Sequence, residues 1–339
     1  MSQFQTLVWR EWRQNRRGWM TLLLLPTLLM LALLVWSTIQ GHGVINMGPN
    51  LRDELPPAFM VLALTVSLLG LQGLVVAGGL VVQAGGLARR DRQDRSIEFW
   101  QALPVTDTKS VLATLVTHWL LWPLAAAWIT LGLGLVVGLV GVVFDGGVSA
   151  LAHVAWGPTL DAMLHSGLRF TVGYPMALLW VSPVILAVMT MSAWFGRWGF
   201  PGLIMATVGT HVWLRLQHGS HWVGDVLRGL SERALLSVLP SSEPAEVIRL
   251  IKGSTVQFEQ GSATMTQVLN SVLPEAVKAY KQWIWQSLEV SVSQLSDQWA
   301  LSVLLLSAAL VALMVLRRSP RRLVVLRWVP AGLLKASGH

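Results

Sequence analysis

Cysteine is absent from this chain of 339 residues, and charge is scarce. The absence of cysteine excludes disulfides, thiolate metal sites and a cysteine nucleophile. Charged residues make up 12% of the chain, about half the share of an ordinary soluble domain, while hydrophobic residues make up 53%. So few charges cannot keep a globule of this composition in water. The sequence therefore predicts a protein that uses lipid as its solvent.

Long uncharged stretches provide the evidence for membrane crossing. A bilayer core about 30 Å thick takes about 20 residues of helix. The stretches predict an all-α polytopic membrane protein with six transmembrane helices. The first is too long for the apolar core of a signal peptide and has no small-residue cleavage site, so we expect it to be retained. The six stretches are 19–40, 58–87, 111–143, 174–195, 200–214 and 300–316.

The basic residues indicate which way the helices face, because short loops rich in Lys and Arg stay on the cytoplasmic side. Most of the 25 basic residues lie before the first span or after the second, fourth and sixth, which a six-span arrangement places on one side. We expect a multi-pass protein of the bacterial inner membrane with both termini in the cytoplasm. The formal net charge of +8 is then explained without a nucleic-acid partner.

The spans divide the chain into regions. Residues 1–18 combine indoles with cations, a pattern typical of a helix that lies in the membrane interface. The candidate residues of this interfacial helix are Trp9, Trp12 and Arg13. The other predicted regions are spans one to five at 19–216 with an outer loop at 144–170, an enlarged helical outer region at 217–298, the sixth span at 299–317 and a basic cytoplasmic tail at 318–339.

In the third stretch, Gly134 and Gly138 have a small-xxx-small spacing that permits close helix packing. Packing within the chain and packing between two copies both fit this spacing.

The loop at 89–110, between the second and third spans, is the most informative segment. Its cations are nearly matched by carboxylates, although a loop that only sets orientation needs cations alone. A short amphipathic helix with apolar side chains and a mixed-charge rim suits docking on another protein, and burial in the headgroup layer is the alternative. The candidate docking residues are Arg92, Asp94, Arg95, Ile97, Glu98, Phe99, Trp100, Leu103, Pro104 and Asp107.

The order of residues in this loop carries a resemblance. It reads Asp-Arg-Gln-Asp-Arg-Ser-Ile-Glu-Phe-Trp at 91–100, then Leu-Pro-Val at 103–105 and Asp-Thr at 107–108. This pattern resembles the coupling helix of the membrane-spanning permeases of type-2 ATP-binding-cassette (ABC) exporters. The resemblance implies an interfacial helix, six spans, a dimer with itself or a second permease, and two copies of a partner ATPase that bind ATP and magnesium. The long region between the fifth and sixth spans departs from the short re-entrant hairpin of that family.

An energy source is missing from the chain itself. It has no Gly-x-x-x-x-Gly-Lys-[Ser/Thr] phosphate loop, so we expect catalysis in a separate subunit, no cofactor here and no enzyme activity of this chain. The first four spans contain no acidic residue, which argues against an ion-coupled carrier.

Three alternative hypotheses concern the outer region. Arg215, His221 and Asp225 fit a spacing that resembles the third signature of the membrane lipid phosphatases, with His as nucleophile, although the other two signatures of that superfamily are absent. Together with His211 and His218, His221 and Asp225 are also candidate metal ligands. The enlarged outer region also fits a non-transporting scaffold or signalling subunit.

Overall fold

The computed structural model describes residues 3–40, 57–87, 106–239, 245–247, 249–250 and 265–318. These ranges are largely helical and contain no strand. The main helices, in chain order, are α1 Gln3–Ile39, α2 Pro57–Leu87, α3 Asp107–Leu115, α4 Trp122–Gly146, α5 Trp156–Phe195, α6 Gly199–His218, α7 Trp222–Val238, α8 Met265–Ser293 and α9 Gln298–Arg318.

Five helical runs in the described part of the chain are long and apolar enough to cross a membrane. The predicted class, an all-α membrane protein, is confirmed at that level. The predicted fourth and fifth spans fall within one run of 63 residues that is interrupted at the 3₁₀ turn Gly196–Trp198, so a count of six stays a prediction. The runs are Gln3–Ile39, Pro57–Leu87, Thr108–Gly146, Trp156–His218 and Gln298–Arg317.

The amino-terminal region differs from the prediction, because α1 continues without a break through the expected boundary at residue 18. Leu7, Glu11, Trp19 and Leu23 are all buried, so one stripe of α1 is covered on both sides of that boundary. At 1.5 Å per residue α1 is about 55 Å long, well beyond a hydrocarbon core of about 30 Å. The first helix therefore extends out of any bilayer that it crosses, instead of bending into the interface plane.

The predicted outer loop at 144–170 is also shorter than expected. α4 ends at Gly146, and Gly147 has a φ of 73°, a conformation that glycine adopts without strain. A 3₁₀ turn at Val148–His153 then leads to α5, which begins at Trp156. The second half of the predicted loop is therefore the first part of a 40-residue helix.

The spaced glycines of α4 pack against α2. A Cβ added at Gly138 would lie 2.9 Å from the Cα of Val61, and one at Gly134 would lie 2.8 Å from the Cγ2 of Thr65. α2 and α4 could not approach each other so closely if larger residues occupied these two positions. Of the two interpretations of this spacing, the structure shows packing within the chain.

Arg169 on α5 holds α7 and α8 in place. Its side chain is 3% exposed and donates to the backbone carbonyls of Ser237 and Leu236 in the last turn of α7, and to that of Ile284 in α8. The last carbonyls of a helix have no partner within the helix, and a guanidinium carries five donors in a fixed fork. One side chain therefore joins three helices.

Replacing Gly138 by Ala is expected to destabilise the chain by about 1–3 kcal/mol, because the added methyl group meets the α2 backbone. The measurement is the thermal unfolding midpoint of the purified protein in detergent. Gly132 lies on the same helix with open space around its Cα, so Gly132→Ala is the control and should leave the midpoint equal or higher. Equal midpoints for the two variants would contradict the close α2–α4 contact.

Replacing Arg169 by Lys is expected to loosen α7 and α8, because one ammonium group cannot reach carbonyls on two helices at once. Each lost bond from a charged donor costs about 1.5–3 kcal/mol, which speeds local hydrogen exchange about tenfold or more. Mass spectrometry of exchanged peptides measures the effect. The exposed Arg215 provides the control, and Arg215→Lys should leave exchange in both helices unchanged. Unchanged exchange in the Arg169 variant would rule out the bridging role.

Candidate functional site

The predicted docking loop lies almost wholly outside the described residues. Asp107 is the exception, because it is the first residue of α3. The docking role of the loop therefore stays a prediction. The residues outside the described ranges are Arg92, Asp94, Arg95, Ile97, Glu98, Phe99, Trp100, Leu103 and Pro104.

The helix that follows the loop packs on the amino-terminal part of α1. α3 contacts α1 along its length, and the Lys109 ammonium donates a hydrogen bond of 3.3 Å to the side-chain oxygen of Gln3. The last four residues of the predicted loop, 107–110, are the first four of α3, so a displacement of the loop moves α3 directly. α1 is thus a direct neighbour of α3, as is α9.

A π-helical turn, Val116–Leu121, connects α3 to α4. Such turns insert an extra residue into a helix and occur frequently at functional sites. This turn buries the side chains of Thr117, His118 and Trp119. His118 is fully buried and points toward α1.

The imidazole of His118 lies between two side chains of α1. The indole nitrogen of Trp19 donates to Nδ1 of His118 over 3.3 Å. Because an indole nitrogen is only a donor, Nδ1 must be the acceptor, and the ring proton of neutral His118 is on Nε2. Nε2 faces the Glu11 carboxylate at 3.6 Å, which is longer than a hydrogen bond, and a neutral imidazole forms no ion pair with that carboxylate. Arg10 bonds the other Glu11 oxygen at 2.7 Å.

Three indoles stack beside this polar contact. Trp122 of α4 lies between Trp12 and Trp19 of α1, with ring centroids 3.8 Å and 5.5 Å away and nearly parallel planes. Offset aromatic pairs add about 0.5–1.5 kcal/mol each beyond the area that they bury. We call Glu11, Trp12, Trp19, His118 and Trp122 the junction cluster.

The junction cluster changes the role expected for the amino-terminal residues. Trp12, predicted at the membrane interface, is half-buried and stacks against Trp122 of α4. Trp9 is 52% exposed, with the Arg13 guanidinium 5.8 Å from its ring, so these two residues remain on the outer side of α1. Glu11, Trp19, His118 and Trp122 are buried, and Trp12 is half-buried. The junction cluster therefore attaches α1 to the π turn and α4.

Sequence reasoning missed Glu11 and His118, although a signal was present. His118 is the one ionisable side chain within the stretch 111–143, and such residues in a span usually have a partner and a function. Trp12 and Trp19 are seven residues apart, which places them on one face of a helix. Together these features indicate a helix face that packs against a polar position of the third stretch.

The residues of the phosphatase hypothesis lie at the turn between α6 and α7. Arg215 is in the last turn of α6, His221 directly precedes α7, and Asp225 is in the first turn of α7. Within residues 106–239, all of which are described, no hydrogen bond or ion pair joins their side chains. A histidine nucleophile needs an acid to orient it, so this geometry does not support the hypothesis.

The metal hypothesis finds no support in the geometry either. The rings of His211 and His221 are 6.2 Å apart and tilted, and His218 packs edge-on against Trp213. Across the described ranges, no group of three or more His, Asp or Glu side chains could hold a metal ion. Asp225 is therefore not part of a ligand set with His218 and His221.

Comparison of the chain with protein-family models, with curated proteins and with solved structures finds no match in any of the three.

Replacing Trp19 by Phe is expected to destabilise the protein by about 1–3 kcal/mol, because the buried Nδ1 of His118 loses its donor. Thermal unfolding in detergent measures the loss. Trp36 lies on the same helix and is 62% exposed, so Trp36→Phe is the matched control and should change stability by less than about 0.5 kcal/mol. Equal effects in the two variants would mean that the hydrogen bond contributes nothing.

Proposed function

We propose that this chain is the membrane-spanning permease subunit of an ABC exporter and that a separate ATPase drives it. The observation that supports the proposal most strongly is the junction cluster, which fixes α1 to the π turn and α4, into which α3 continues from the predicted docking loop. A loop that receives force from a partner is useful only if the helices behind it move together. The buried hydrogen bond and the stacked indoles provide that connection.

The path of motion runs from the loop into the bundle. Movement of the docked loop displaces the end of α2 and the start of α3, which flank it in the chain. α3 continues through the π turn into α4, and the junction cluster makes α1 follow. The contacts of Gly134 and Gly138 with α2 hold α4 against α2, the helix that precedes the loop. In this mechanism α1, α2 and α4 tilt as one unit, because separating any pair would break buried contacts.

The proposal includes the partners that the mechanism needs. Two copies of the ATPase bind ATP and magnesium, and the permease pairs with itself or with a second permease so that the tilting units face each other. The protein lies in the bacterial inner membrane with both termini in the cytoplasm, where ATP is available. The basic residues that flank the spans support this orientation.

Replacing Phe99 and Trp100 together by Ala is expected to abolish copurification of the ATPase, because the apolar side chains that enter its groove are lost. The measurement uses the tagged full-length chain, purified from its native membrane. Mass spectrometry identifies copurified chains that carry a phosphate-loop motif, and ATP hydrolysis by the preparation is assayed.

The matched control removes two exposed indoles elsewhere, by Trp213→Ala with Trp222→Ala. We expect this control to retain the ATPase at the level of the unmodified chain. ATPase copurification undiminished in the Phe99 and Trp100 variant would refute the docking assignment. Release of phosphate from a lipid phosphate by the chain alone, abolished by His221→Ala, would favour the phosphatase hypothesis instead.

A further inference from the structure

A cavity of about 140 Å³ lies between α2, α4, α5 and α8. It is at the end of the bundle where α2 begins, opposite the junction cluster. Its walls are almost entirely apolar, and the buried Leu273, Ala276 and Val277 of α8 form its floor. α2 and the short helical segment 245–247 contribute further wall residues, among them Leu62, Val66 and Val247.

The few polar groups in the walls already have partners. The Thr65 hydroxyl donates to the Val61 carbonyl at 2.7 Å, and the hydroxyls of Ser166 and Tyr280 bond each other at 2.8 Å. A buried water needs two to four polar partners, whereas an apolar cavity of about 150 Å³ stays dry and accepts a benzene-sized molecule. The cavity therefore favours a hydrocarbon group over water or a polar ligand.

Hydrocarbon can reach the cavity from the side. The cavity is partly open, and Val66 in its wall is 60% exposed. Val66 lies on α2, one of the helices that is long and apolar enough to cross a membrane. The opening therefore faces the region where lipid chains surround the helix.

Charged groups of both signs are next in sequence to wall residues of the cavity on α5 and α8. Asp161 precedes the wall residue Ala162, and Lys281 follows the wall residue Tyr280. The Lys281 ammonium lies 2.6 Å from the Asp161 carboxylate, and His165 contacts the same carboxylate at 3.0 Å. The side chains of Lys281 and Asp161 are 31% and 36% exposed, so both remain accessible to a headgroup.

We propose that this cavity binds a short segment of one acyl chain of a zwitterionic phospholipid, whose headgroup rests on the Asp161–Lys281 pair. The apolar walls cover that segment, the phosphate faces Lys281 and the amine faces Asp161. An anionic headgroup matches this border less well, because it has no cation to offer the carboxylate. The assignment goes beyond the proposed exporter function and does not rest on it.

The test uses the full-length chain in nanodiscs that contain a phosphoethanolamine lipid with a diazirine in the half of one acyl chain that is nearer the headgroup. After irradiation, mass spectrometry locates the label on peptides. We expect label on Leu273, Ala276 or Val277, which are only 3–6% exposed and which a lipid on the outer surface does not reach. Leu304 and Leu305 on α9, 50% and 63% exposed, report ordinary surface contact.

Filling the cavity by Ala276→Phe is expected to abolish label on α8 and to leave label on α9 unchanged. Leu62→Trp fills the cavity from α2 and replaces Ala276→Phe if that variant does not fold. Label on α8 that persists in a folded filled variant would overturn the proposal, and so would its absence from the unmodified chain. The same diazirine chain on a phosphoglycerol headgroup should label α8 less, and equal or stronger labelling would overturn the headgroup assignment.

Discussion

The hydrogen bond from Trp19 to His118 sets the register between the first helix and the rest of the bundle. The bond is buried, and a buried donor or acceptor without a partner costs free energy. α1 therefore cannot slide along α4 by one turn without leaving the indole and the imidazole unpaired. The position of α1 in turn sets that of α2, because the Gln72 amide donates to the Leu22 carbonyl at 3.3 Å. α2 then meets α4 at Gly134, which closes a ring of three helices that position one another.

Two kinds of contact hold the bundle together, and both suit an apolar solvent. Lipid chains are as apolar as leucine, so burial alone does not drive helices together in a membrane. The first kind of contact is close approach of two helices at small residues, as between α2 and α4. Isolated polar bonds between helices are the other, including the 2.7 Å bond that joins Ser182 of α5 to Ser307 of α9 and the three carbonyls bound by Arg169.

The sequence predicted the membrane class because that class depends on the length and charge of stretches, which are local properties. It did not predict that α1 is continuous, since indoles and cations at 1–18 suit the membrane interface as well as they suit a protein neighbour. The partner that decides between them, Trp122, is remote in the chain. Arg169 was not recognised because its partners are backbone carbonyls, which leave no mark in the residue pattern. The docking residues around Phe99 remain predictions from the sequence.

The π turn between α3 and α4 gives the two helices different angular phases. One residue added to a helix rotates everything beyond it by about 100°. The extra residue at Val116–Leu121 therefore changes the angle, about the helix axis, between two contact faces. One is the face of α3 that contacts Gln3, and the other is the face of α4 that contacts α2. Gaining or losing one residue in the π turn would rotate α3, and the loop attached to it, about the helix axis. The packing of α4 against α1 and α2 would stay as it is.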